Sequence, residues 1–313
     1  MTPLDAAPVL EHPGEAADER LVVVPARLRS HEVELPAGAR LLEALGALLD
    51  EIGASSAVGE LHGGELAAFS YFVPDVGAPG GPVADFSAPR TCRGPARLVR
   101  GGLTLGLRDG AVFSHSHARF VDAEGVEAAG HLVPDSVVLG PGVTARVWAD
   151  PEVVIEVQAD PETTMNLFVP RRTSVREAPD GVPTGPTGPT GGAAGARSAV
   201  VCRVRPNVDL VGAVERIVDE QGWASAEVVG QIGSLVGGRL RGPDGTTIEV
   251  DGPATEVMTI EGTVEREAGR TTARLVATLV DRHGRVHTGG LLPGLNPVAM
   301  TFELALVAGG RTA

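Results

Sequence analysis

The sequence has 313 residues, of which 43% are hydrophobic and 21% are charged, and a formal net charge of −14 in which every basic residue is arginine. This length favours two domains over one, and no apolar run approaches the roughly 18 residues of a membrane span. The acidity counts against general binding of nucleic-acid phosphates, although a local arginine patch could override it.

The first twenty residues, 1–20, are acidic and rich in Pro and Ala, and we expect them to form a flexible tail. They have neither the basic region nor the apolar region of a secretory signal. The two cysteines, Cys92 and Cys202, are too few for a disulfide framework and fit a reducing compartment. We therefore expect a cytoplasmic protein without a membrane-inserted segment.

Two segments place apolar residues at helical spacing, LLEALGALLDEIG and LVGAVERIVDEQG, which end at Gly53 and Gly222. Glycine after the last helical residue is typical of a helix C-cap. The segments that follow each helix are short, rich in Val, Leu and Thr, and separated by Gly-containing turns, which is the pattern of β-strands. The sequence therefore predicts an α+β fold, with a mainly antiparallel sheet and one flanking helix in each half.

Residues 171–198 read RRTSVREAPDGVPTGPTGPTGGAAGARS and consist mostly of small residues and Pro, with almost no apolar side chain to bury. Such a composition is typical of a flexible linker. We expect it to join a first domain, residues 21–170, to a second domain, residues 199–310.

The two predicted domains resemble each other in sequence. LLDEIGASSAVGELHGGEL (48–66) aligns without gaps with IVDEQGWASAEVVGQIGSL (217–235), and DAEGVEAAGHLVP (122–134) aligns with DRHGRVHTGGLLP (281–293). Because order and spacing both persist, we interpret the similarity as an internal duplication. The first copy has ten more residues than the second between the two blocks.

Three of the eight histidines lie within residues 115–132, HSHARFVDAEGVEAAGHL. Alternate residues of a strand share a face, so His115 and His117 point to the same side. A turn then leads to His131, and a loop of three or five residues, or a bulge with a left-handed Gly125, places that residue on the same face. Three imidazoles suit a divalent transition metal, with zinc as the expected ion, and leave a coordination position open.

Two further residues are candidates for catalytic roles beside such a metal. His62 follows the first helix in GELHGGEL and could be a fourth ligand or an acid/base group, or else a surface histidine. Arg119 continues the alternation of the strand histidines and could bind a carboxylate near the metal, or else be exposed or ion-paired. The motifs of nucleotide-binding, dinucleotide-binding, serine-hydrolase and zinc-finger proteins are absent.

The order of helix, Glu-apolar-Gly strand (Glu256 to Gly262), His-x-His, Asp-x-x-Gly and Gly-His-Leu resembles the plant and prokaryote conserved domain, abbreviated PPC or PCC. The resemblance covers most of both copies, and it implies an α+β fold that associates as trimers. In bacterial members it also implies a divalent-metal site at the three histidines. Plant members carry AT-hook motifs and work in DNA-associated complexes, but the Arg-Gly-Arg-Pro core of that motif is absent here.

The second copy has Arg274, Val276 and Gly290 at the three histidine positions. We therefore expect the metal in the first domain only, with the second domain as a structural partner. The leading hypothesis is a tandem PPC-type protein whose metal centre binds a small anionic molecule, such as a carboxylate, and transforms it in a lyase or hydrolytic step. The alternatives are a DNA-associated regulatory protein and a non-catalytic oligomeric scaffold, and whether the protein is an enzyme stays open at this stage.

Overall fold

The computed structural model describes residues 7–173 and 195–309, so most of the predicted linker lies outside the described residues. The first half contains, in chain order, β1 Leu21–Glu34, α1 Leu41–Ile52, β2 Ala57–His62, β3 Glu65–Phe72, β4 Pro74–Val76, β5 Ala84–Phe86, β6 Arg90–Cys92, β7 Ala96–Arg108, β8 Ala111–Val121, β9 Glu127–Leu132, a 3₁₀ turn Pro134–Ser136, β10 Val138–Leu139, β11 Thr144–Ala149, β12 Val153–Ala159 and β13 Asn166–Arg172. The second half contains β14 Arg197–Val204, α2 Leu210–Glu220, β15 Ser225–Leu235, β16 Gly238–Arg241, β17 Thr247–Val250, β18 Thr255–Glu267, β19 Arg270–Val280, β20 Val286–Leu291 and β21 Val298–Ala308.

The two α-helices occupy the predicted segments. α1 ends at its C-cap Gly53, which has a φ of 67°, and α2 is followed by Gly222 with a φ of 66°. The side chain of Asp209 caps α2 by accepting a hydrogen bond from the backbone N–H of Gly212 at 2.8 Å, which satisfies one of the free amides at a helix start. Neither described helix is long and apolar enough to cross a membrane.

The fold is mostly antiparallel β-sheet, with one helix packed on the sheet of each half. Hydrogen-bonded neighbours follow the order β1–β11–β2–β7–β8–β9 in the first half and β14–β21–β15–β18–β19–β20 in the second. The corresponding strands β7 and β18 both have 13 residues, β8 and β19 both have 11, and β9 and β20 both have six. The helix, strand order and strand lengths therefore recur in the two halves.

A single strand belongs to the sheets of both halves. The first part of β1, residues 21–28, pairs with β14 of the second half, whereas residues 29–34 pair with β11 of the first half. Backbone hydrogen bonds consequently run without a break from one half into the other.

The two sheets face each other, and each helix lies on an outer face. α1 packs on a core confined to the first half, and α2 packs on a core confined largely to the second. A third apolar cluster draws on both halves, with Val58 and Ile155 packed near Val201 and Ala305. The sheets come into backbone contact at Gly102, where an added Cβ atom would lie 2.4 Å from the backbone oxygen of Gln231 in the second half.

The segment before β1 is held against the rest of the protein over part of its length. The backbone N–H and C=O of Leu10 are both hydrogen-bonded to the side-chain amide of Asn207, at 2.9 and 2.8 Å. Arg20 forms a two-pronged ion pair with the buried Glu162, at 2.7 and 2.8 Å. Leu10 and Arg20, at the two ends of residues 10–20, therefore have specific partners that the composition of this segment does not indicate.

Candidate metal centre

The three histidines lie on the adjacent strands β8 and β9. The turn between these strands has five residues, 122–126, and Gly125 within it has a φ of 80°. The side chain of Asp122 accepts a hydrogen bond from the backbone N–H of Val126 at 2.8 Å, which fixes the turn. With this loop length His117 lies directly opposite His131. The predicted register, with a five-residue loop and a left-handed glycine, is confirmed.

The ring nitrogens of the three histidines converge on one point. One nitrogen of each of His115, His117 and His131 lies within 4.8 Å of the others. The Nε2 atoms of His115 and His117 are 3.2 Å apart. Two imidazole nitrogens bound to one zinc ion, each about 2.0–2.1 Å from it in tetrahedral geometry, are separated by about 3.3 Å. This pair of rings is therefore already spaced as two zinc ligands are.

The opposite nitrogens of two of these rings are held by the second half of the chain. His117 Nδ1 donates to the backbone carbonyl of Val257 at 2.8 Å, and His115 Nδ1 lies 3.2 Å from a carboxylate oxygen of the buried Glu303. Histidines that bind a metal through one nitrogen characteristically donate the other N–H to a carboxylate or a carbonyl, which fixes the tautomer and the ring orientation. Both Nε2 lone pairs are thereby directed at the point of convergence.

A carboxylate of the second half lies beside two of these rings. Glu256 is 3% exposed, and its Oε1 lies 3.3 Å from His117 Nε2 and 3.6 Å from His131 Nδ1. Its Oε2 and His131 Nδ1 are both buried and have no hydrogen-bond partner among the described residues. Buried polar atoms are rarely left without a partner. A divalent cation held by the three rings would give His131 Nδ1 the partner it lacks, so the three imidazoles fit the expected metal.

The charges of the cluster are distributed unevenly. Burial alone would lower the pKa of His117, but the charge and hydrogen bonding of Glu256 outweigh it, so the pKa is raised. Burial lowers the pKa of His131 to about 4, so this ring is neutral at pH 7. Burial alone would raise the pKa of Glu256, but the charge and the hydrogen bond of His117, with the His131 ring close by, outweigh it, so the pKa is lowered. At neutral pH the centre therefore offers a carboxylate and a neutral imidazole, the forms in which these groups bind metals.

The two candidate catalytic residues lie outside this cluster. His62 is on β2, which β7 separates from β8, so its backbone is roughly 10 Å from the histidine strand. Its Nε2 is buried without a hydrogen-bond partner among the described residues. Arg119 continues the face of the two strand histidines, and its Nε donates to Glu127 at 2.8 Å. Neither residue is brought among the converging nitrogens.

The contributions of Glu256 and Glu303 were missed in the sequence, where the second copy was predicted to be only a structural partner. Each is the one carboxylate in a mainly apolar stretch, EVMTI in β18 or TFELALV in β21, and that isolation was a signal. Val276 and Gly290, which replace two of the histidines, pair at the same register as His117 and His131. The second half thus lacks the imidazoles but supplies the carboxylates.

Residues 192–308 match the Plants and Prokaryotes Conserved (PCC) domain. This match confirms the family resemblance for the second half of the chain. No curated protein matches the chain.

Several solved structures are similar to parts of the chain. A plant- and prokaryote-conserved protein from Pyrococcus horikoshii has 19% identity and a TM-score of 0.35, with 49% of this chain and 97% of that chain covered. A metal-containing protein from Archaeoglobus fulgidus has 16% identity and a TM-score of 0.40, with 47% and 98% covered. A protein from Salmonella enterica has 25% identity and a TM-score of 0.32, with 36% and 80% covered. The family assignment accordingly rests on residues 192–308.

Proposed function

We propose that the protein holds one divalent transition metal ion, expected to be zinc, through His115, His117 and His131, with Glu256 as a further donor. The observation that carries this proposal is the convergence of the ring nitrogens within 4.8 Å beside two buried atoms that lack hydrogen-bond partners, His131 Nδ1 and Glu256 Oε2. The function that this centre supports best is binding of a small anionic molecule. A lyase or hydrolytic step on that molecule is the transformation we propose.

A bound divalent ion would supply a Lewis-acid centre that polarises a carbonyl or carboxylate oxygen. The remaining work falls to residues of this chain. Glu303 and the carbonyl of Val257 orient two of the imidazoles. Glu256 places a negative charge beside His117 and His131.

We further propose that residues 21–170 are a divergent copy of the domain that residues 199–310 represent. The recurring strand order, the equal lengths of three pairs of strands and the shared left-handed glycines in the turns, Gly125 and Gly284, support this proposal. The two copies have then divided the centre between them. The first provides the imidazoles, and the second provides the carboxylates that touch them.

The metal content of the purified, untagged protein tests the proposed function. We expect about one transition metal ion per chain by mass spectrometry, and none in the His115→Ala/His131→Ala double variant. The matched control is the His283→Ala/His287→Ala double variant, which removes two histidines that pair with Asp251 and Asp281 in the second half.

Thermal denaturation with and without added zinc provides a second readout, since a ligand that binds only the folded state raises stability by about 2.7 kcal/mol at one hundred times its Kd. Wild type that stays empty after zinc supplementation and shows no thermal shift would overturn the metal proposal. The oligomeric scaffold would then become the favoured function.

A further inference from the structure

A cavity of about 330 Å³ is lined by two of the three histidines, His115 and His131, and its volume is within the range of small-molecule sites. Its lining combines polar groups of the candidate metal centre with aromatic side chains. The polar groups are His115, His131 and Glu303, and the aromatic side chains are Phe86, Phe113 and Phe168. The cavity therefore connects the centre to an apolar compartment large enough for a small organic molecule.

Two of the aromatic walls, Phe86 and Phe168, come from segments that the described part of the second half lacks. The small hairpin β4–β5 lies within the stretch where the first half has ten surplus residues, and Phe86 of β5 packs on the ring of His131 with centroids 4.7 Å apart. In the first half, β11 is followed by the hairpin β12–β13. In the second half, β21 is the counterpart of β11, and among the described residues only Gly309 follows it. Phe168 of β13 packs against Phe113 with centroids 6.1 Å apart. The first half, which carries the histidines, thus also carries the two hairpins that line the cavity beside them.

The exposed rim of the cavity carries an arginine in a defined position. The guanidinium carbon of Arg108 lies 3.6 Å from the centroid of the Phe113 ring. An arginine stacked on an aromatic face keeps its edge N–H groups free to bind a carboxylate through two hydrogen bonds. Among the described residues no carboxylate forms an ion pair with Arg108, although most arginines of this acidic protein are paired.

The strand geometry gives the distance between this arginine and the metal centre. Phe113, on which Arg108 stacks, is two residues before His115 on β8, and the two side chains share a face. Two residues of an antiparallel strand span about 6.8 Å. A carboxylate on Arg108 and a hydrocarbon body of about that length would therefore reach the histidines along the aromatic wall.

One residue at the rim is held in a costly backbone conformation. Thr164 lies in the turn between β12 and β13 with a φ of 60°, which is unusual for a β-branched residue. The turn is fixed by the buried Asp160, which accepts hydrogen bonds from Thr163 at 2.9 and 3.0 Å. On its other oxygen Asp160 accepts a hydrogen bond from Arg203 of the second half at 2.5 Å. Strain of this kind persists only where the surroundings impose it, and it concentrates at binding sites.

We propose that this cavity binds an aromatic or aliphatic monocarboxylate, with the carboxylate on Arg108 and the apolar body between Phe86, Phe113 and Phe168. This inference deepens the proposed function, because the far end of such a ligand lies beside the metal centre. The carboxylate contact itself involves Arg108 and requires no metal. The metal centre and the carboxylate-binding cavity can therefore be tested independently.

Calorimetric titration of the full chain with 3-phenylpropionate tests the proposal, in both chelator-treated and zinc-loaded protein. The neutral isostere 3-phenylpropionamide and the short anion acetate serve as comparison probes. We expect the aromatic carboxylate to bind at least 10-fold more tightly than either. Arg108→Gln should remove that preference over the amide, and the matched control Arg274→Gln, an exposed arginine of the second half, should leave it unchanged.

The outcomes separate the two proposals. Arg108-dependent binding to protein that takes up no metal would support the carboxylate cavity and overturn the metal centre. Protein that takes up metal but binds the acid and the amide equally, or binds neither, would retain the metal centre and overturn the cavity. Tight binding of the acid to zinc-loaded protein that is unaffected by Arg108→Gln would also overturn it, because the carboxylate would then sit on the metal.

Discussion

His117 lies directly opposite His131 across β8 and β9, at the register where Val276 lies opposite Gly290 in the second half. The backbone register is thus the same in these two hairpins, and the side chains at this register differ. The first hairpin has His115, His117 and His131 where the second has Arg274, Val276 and Gly290. These three side chains decide which hairpin carries the imidazoles.

The turn that sets this register depends on Gly125. Its φ is 80°, and nothing lies within 4 Å of a Cβ atom added there, so a substitution is penalised by conformation alone. We expect Gly125→Val to lower the free energy of unfolding by about 1–2 kcal/mol, and Gly125→Asn to lower it by less, since Asn tolerates the left-handed region. Chemical denaturation measures both, and equal losses would show that the turn relaxes to another conformation.

Glu256 should contribute to metal affinity from across the interface between the sheets. Glu256→Gln keeps the shape of the side chain but removes the charge beside His117 and His131. We expect zinc affinity to fall by about 10- to 100-fold, as is typical when a supporting group of a metal site is lost. Competition with a chelator of known affinity measures the change. Glu249→Gln, an exposed carboxylate of the same half, is the control, and equal affinities for both variants would contradict the role of Glu256.

Asp160 should make the free energy of unfolding decrease as the pH falls. Burial alone would raise the pKa of Asp160, but hydrogen bonds from Thr163 and the pairing with Arg203 lower it to about 2. The unfolded state, with a pKa near 4, therefore takes up this proton first. The stabilisation is complete above about pH 5 and is lost as the pH falls towards 2, by roughly 2–3 kcal/mol.

The variant Asp160→Asn isolates this contribution. It should unfold more easily at pH 7, by about 3–5 kcal/mol, because Arg203 stays buried at 1% exposure without its counter-charge. It should also lack the wild-type loss between pH 5 and 2. Denaturation at a series of pH values in the presence of a chelator, with Asp50→Asn as control, measures both effects. An acid profile like that of wild type would contradict the assignment.

Two glycine substitutions should act in opposite directions. Gly102→Ala places a Cβ atom 2.4 Å from the Gln231 backbone oxygen and must separate the two sheets, with a cost of about 1–3 kcal/mol. Gly46 lies within α1 with nothing near its added Cβ atom, so Gly46→Ala should raise stability by about 0.5–1 kcal/mol. Melting temperatures test both changes. A stable Gly102→Ala protein would mean that the interface is looser than the structure indicates.

The features that sequence predicted well are local. Helical spacing located α1 and α2, and the strand period together with the left-handed Gly125 placed the three histidines on one face. The alternation also placed Arg119 on that face, although its ion pair with Glu127 depends on the neighbouring strand. These features depend on residues close together in the chain, where spacing alone fixes geometry.

The features that sequence did not predict are contacts between distant segments. Glu256 follows His117 by 139 residues, and their contact requires that the two sheets pack face to face at one particular offset. Nothing in the period of either strand encodes that offset. The same reason applies to Asn207, whose amide binds Leu10 across 197 residues.

The strand shared between the sheets has a consequence for how this protein avoids association with other chains. In residues 197–204 of β14, the backbone groups on one side are paired only with residues 21–28 of β1. A fragment beginning after the linker would present those groups as an open edge, and open edges recruit strands from other molecules. Residues 21–28 of β1 thus cover the edge of β14. We therefore expect the second half, when it is produced without β1, to associate with other chains through this edge.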